Sequence, residues 1–132
     1  METGENNPIH IQTESFNIGL ASSYHLSIQL GVYHFSYCLL NTTTFTYDYV
    51  KKYPLTSKDN TATEITEIIN NDANLKAEFF SQSIAFVNFP STLVPDRLYK
   101  EEEAETLLAF NNKVNGTVLA DNIVSQKAYL IY

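Results

Sequence analysis

The chain has 132 residues, 44% of them hydrophobic and 17% charged, with a formal net charge of -7. That length allows one domain with a true core and is short for two ordinary ones, and the composition is globular rather than disordered. The carboxylate excess repels phosphodiester backbones, and the basic cluster Lys51-Lys52 with Lys58 nearby reads as a solvated strand end, so no nucleic-acid partner is expected.

Nine tyrosines and eight phenylalanines carry much of the apolar surface, with many threonines, a bias toward half-buried strands. Cys38 is the one cysteine, so it forms no disulfide within the chain and reads as a buried small hydrophobe. Met1 to His10 is polar and acidic and lacks the basic start and apolar run of a signal peptide. No stretch approaches the ~20 apolar residues that span a bilayer. A cytoplasmic setting is therefore the default expectation. The sequons at Asn41 and Asn115 carry no weight without an export signal.

Residues 1–23 form a polar lead-in with a short apolar patch at Ile9, Ile11, Phe16 and Ile18, which either docks as an edge strand or stays frayed. From Tyr24, Leu26, Ile28 and Leu30 alternate with Ser27, Gln29 and Gly31, predicting a strand with one face in the core. A turn at Gly31 to His34 leads into a second strand, Phe35 to Leu40. The Asn41-Thr42-Thr43-Thr44 cluster is the next turn. Phe45, Tyr47, Tyr49 and Lys51 then alternate in a third strand that stops before Pro54. Short connections make these three an antiparallel meander.

Thr61-Ala62-Thr63-Glu64 has capping-box spacing, and Ile65, Ile68, Ile69 and Leu75 fall on one helical face. Asn70-Asn71-Asp72 weakens that helix. Ser83 to Phe89 predicts a strand buried on both faces. Pro90 and Pro95 bracket a short segment, after which Asp96 is expected to cap a second helix whose N-terminal part holds Glu101, Glu102, Glu103 and Glu105. Negative charge there suits the helix dipole. Leu107, Leu108 and Phe110 are assigned to the core, and Thr117 to Val124 and Ala128 to Tyr132 to strands.

The expected class is therefore α+β (α/β), in the order β-β-β-α-β-α-β. That order is the ribonuclease-H-like unit, the basic lobe of actin-like ATPases and sugar kinases. The sequence also resembles a bacterial family, domain-of-unknown-function family 3822. The residues that carry the resemblance are Leu26-Ser27-Ile28-Gln29-Leu30 with Phe35-Ser36-Tyr37-Cys38, then Phe86 to Pro95 followed by Leu98-Tyr99, then Leu107 to Asn111 and Ala128 to Tyr132. It implies a ribonuclease-H-like lobe over 24–132 in a family whose members are roughly twice this long and two-lobed, and it attaches no activity. Relatives often have Asp-Gly in the first turn, where this chain has Tyr33-His34.

An active actin-like ATPase needs Asp-x-Gly at the end of its first strand, the Asp to organise Mg²⁺ and small residues to admit phosphate. Here the triplet is Gln29-Leu30-Gly31, followed by bulky Val32, Tyr33 and His34. Gln29 and Gly31 thus read as vestigial phosphate-hairpin positions. No cofactor is expected, Mg-ATP included, and no metal. A two-metal nuclease would need converging carboxylates, and the strands offer Gln29, Asn88 and the acids Asp48 and Asp121. His10, His25 and His34 make no ligand set.

The leading expectation is a non-catalytic interaction or scaffold protein, with Tyr33, Tyr37, Tyr47 and Tyr49 as a candidate contact surface, beside Phe45, unless they pack beneath helices. Its partner would be another protein or a second lobe, since the chain is expected to continue beyond Tyr132. The alternatives are a divergent ATPase or kinase whose metal ligand is Asp48 or Asp121, and a small β-sandwich binding module with almost no helix.

Overall fold

The computed structural model describes residues 8–56, 60–87, 89–114 and 116–132. Lys58, Asn88, Asn115 and the start of the lead-in lie outside the described residues. The chain forms two compact units, Met1–Asn88 and Phe89–Tyr132.

In the first unit, β1 (Ile9–Gln12), β2 (Tyr24–Gly31), β3 (His34–Asn41), β4 (Thr46–Pro54) and β5 (Ser81–Val87) form one sheet in the order β1-β4-β3-β2-β5. The meander β2-β3-β4 is antiparallel throughout, and β1 adds antiparallel to β4 at the edge. At the opposite edge β5 lies parallel to β2, from His25 beside Ser81 to Gly31 beside Val87. A parallel return needs a crossover, and α1 (Thr61–Asn71) supplies it.

Tyr24, Leu26, Phe35, Tyr37, Leu39, Tyr49 and Leu55 make the core, with Phe16, Ile18, Ile65, Ile68, Leu75 and Phe79 packed against them. Side chains alternate across a strand, so the core takes the even positions of β2 and the odd positions of β3. In β4 the alternation breaks. Leu39 pairs with Tyr49 but Leu40 pairs with Tyr47, so Asp48 is an extra residue opposite no partner. This bulge puts Asp48 and Tyr49 together on the buried side and sends Tyr47 to the other face, 62% exposed. Phe45, just before β4, sits in the left-handed region at φ 56° and is exposed rather than in the strand.

Several expectations change here. Asn60, not Thr61, is the N-cap of α1, and its side chain makes no cap bond. Glu64 instead accepts from the Thr56 amide and hydroxyl, at 3.0 and 3.1 Å, tying the helix to the end of β4. Ile69 points outward, while Ile65 and Ile68 face the core. The strand expected to be buried on both faces is mostly exposed, because no β5 side chain joins the core among the described residues. Cys38 is half-buried on the face away from the core.

In the second unit, β6 (Thr92–Pro95), β7 (Ala120–Ile123) and β8 (Ala128–Ile131) form an antiparallel sheet in the order β6-β8-β7. The segment bracketed by prolines is thus an edge strand, where a missing ladder N–H is tolerated. The last two strands make this separate sheet with it, so the expected class holds while the single strand order does not. Val94, Ala104, Leu108 and Ile131 are its core. The expected long helix from Asp96 is two short 3-10 turns followed by α2 (Ala104–Ala109). Tyr99 and Lys100 are extended between the turns, and the Tyr99 ring stacks on Tyr129 at 3.9 Å. Two positions past Leu108 the helical screw has turned ~200°, so Phe110 points away from the core, 87% exposed. The eleven-residue α1 also removes the β-sandwich reading.

Leu39 is fully buried at the sheet centre, so Leu39→Ala should lower unfolding free energy by ~2–5 kcal/mol in urea titrations. Phe110→Ala should stay within ~0.5 kcal/mol of the parent.

Candidate functional site

The β2–β3 hairpin brings Gln29 and Gly31 to one place. Gln29 is exposed, with Ser36 of β3 on one side and Ala85 of β5 on the other. Gly31 is buried beneath the His34 imidazole: a Cβ at position 31 would lie 3.0 Å from His34 Cε1. Glycine therefore lets the ring pack closely here. No alanine-sized group fits without moving His34.

On the face of the sheet away from the core, Ser27, Gln29, Ser36, Cys38, Ser83 and Ala85 line an open groove of about 680 Å³. Small side chains keep it shallow. At its edge His25 uses both ring nitrogens, with Nδ1 2.7 Å from Ser81 Oγ and Nε2 3.0 Å from Ser83 Oγ. Both nitrogens are engaged by serine hydroxyls, so neither is left for a metal. His10 lies against the Tyr49 ring at 5.1 Å. Among the described residues no three His, Cys, Asp or Glu side chains gather as a metal site.

The four candidate surface tyrosines separate. Tyr37 and Tyr49 are buried and stack on each other at 5.5 Å, which takes them out of any accessible surface. Tyr33 and Tyr47 are exposed. Tyr33 precedes β3 while Tyr47 pairs near its far end with Leu40, a separation of ~23 Å at ~3.3 Å per residue. They do not form one patch.

Asp48 and Asp121 are also committed locally. Tyr24 Oη donates to Asp48 Oδ2 at 3.0 Å, Asn41 Nδ2 to the same oxygen at 3.3 Å, and Thr46 Oγ1 to Oδ1 at 3.1 Å. Burial pushes this carboxyl up, but those bonds outweigh it and hold Asp48 below its usual range. Asp121 accepts from Tyr132 Oη at 3.0 Å.

The most heavily used carboxylate is one that sequence reasoning passes over. Asp72 ends α1, caps the following 3-10 turn by accepting from the Asn74 amide at 3.0 Å, and is buried. Its Oδ2 receives Tyr37 Oη at 2.8 Å, Tyr53 Oη at 2.5 Å and Lys51 Nζ at 3.2 Å. Burial pushes the Asp72 carboxyl up, and the bonds from Tyr53, Tyr37 and Lys51 more than reverse this. Burial and the bonds to Tyr49 and Asp72 push the Tyr37 hydroxyl far up, so it stays protonated as a donor. The Asp-x-Asn pattern at residues 72–74 signals the cap, but its sheet partners lie 19 to 35 residues away. With every oxygen occupied, the cluster is a clamp rather than an acid–base centre.

The fold is the actin-like ATPase fold. A Bacteroides thetaiotaomicron protein described as having that fold and unknown function superposes with a TM-score of 0.72 at 17% identity, over 89% of this chain and 46% of that one. Identity that low carries the fold alone, and this chain spans less than half of that protein. The chain itself belongs to the family described as protein of unknown function, DUF3822, whose model matches residues 13–132. No curated protein matches the sequence.

The clamp has a pH signature. A carboxyl held below its unfolded pKa makes the folded state bind fewer protons than the unfolded state as pH falls. The stabilisation is complete above the unfolded carboxyl range and is lost as pH drops through the folded pKa. Urea unfolding should therefore weaken progressively from about pH 5 downward. Asp72→Asn should cost about 2–4 kcal/mol at neutral pH and flatten that acid dependence.

Proposed function

We propose that this chain is a non-catalytic interaction or scaffold protein on a degenerate actin-like fold, acting in the cytoplasm with a protein partner or a second lobe. The observation that carries this reading is at the β2–β3 hairpin. Gln29 stands where the metal-organising carboxylate of an actin-like ATPase belongs, and a neutral amide does not replace that anion. The His34 ring covers Gly31 on the side a Cβ would occupy, crowding the place where phosphate would be cradled. Both positions are vestigial in this reading.

The competing enzyme reading assigns the metal to Asp48 or Asp121. Asp48 is buried and its oxygens already accept from Tyr24, Asn41 and Thr46, which favours a structural role. Among the described residues no helix is long and apolar enough to cross a membrane.

The test is isothermal titration of the natural full-length polypeptide with Mg-ATP, paired with a phosphate-release assay. The expected result is no binding heat and no release above buffer. Tight binding or turnover would overturn the reading, and loss of that turnover in Asp48→Ala or Asp121→Ala would establish the enzyme instead.

A further inference from the structure

We draw no further inference here: the strongest candidate, the shallow groove on the face of the first sheet away from the core, where His25 bridges Ser81 and Ser83 at the rim, carries nothing because nothing in the structure shows what covers that face.

Discussion

One carboxylate organises the first unit. Asp72 stands where α1 gives way to a 3-10 turn, and it gathers donors from β3 and β4 as well as the turn's own backbone. No side chain of α1 is fully buried, so apolar packing alone gives that helix a modest hold. The polar clamp fixes the end at which the chain turns back toward β5. Burying a charge is costly unless it is paired and hydrogen-bonded, and here two phenols, an ammonium and an amide meet that condition. The crossover helix and the parallel placement of β5 both rest on this arrangement.

The clamp also explains how the aromatic residues are divided. Tyrosine suits a place where a ring can be buried while its hydroxyl finds a polar partner. Tyr24, Tyr37 and Tyr53 do this over Asp48 or Asp72, and Tyr49 joins them through stacking on Tyr37. The opposite face carries serines, Gln29, Ala85 and the half-buried Cys38, with Val50, Val87 and the Tyr47 ring beside them. One face is thus a rigid aromatic core with internal hydrogen bonds, and the other is a shallow surface of small side chains. At the hairpin between the two, the His34 imidazole lies over Gly31.

The sequence was readable wherever local pattern and burial agree. The alternation in β2 and β3 is clear because one face of each is in the core and the other is not, and the strand–turn–strand boundaries follow. β5 misled because a run of apolar and small residues looks alike in a strand covered on both faces and in one with open faces; the difference lies in what packs on it. Phe110 misled because, two positions past buried Leu108, the helical screw carries it to the opposite side. The candidate site was half legible. The Gln29-Leu30-Gly31 triplet can be read directly, whereas the His34 ring over Gly31 and the three side chains converging on Asp72 are contacts made by folding. Tyr49 was indistinguishable in phase from Tyr47 until the bulge separated them.

That bulge makes the length of β4 a fixed quantity. The strand runs in two halves that are out of phase by one residue, with Asp48 as the spacer. Removing the spacer would bring the halves into step with Tyr47 still opposite Leu40 on the outer face, but it would strip the Tyr24 hydroxyl of its acceptor. Side chains along β4 can be exchanged one for another at graded cost. Loss of Asp48 is different in kind, since every pairing of the strand stays in place while Tyr24, Asn41 and Thr46 lose the buried carboxylate they share.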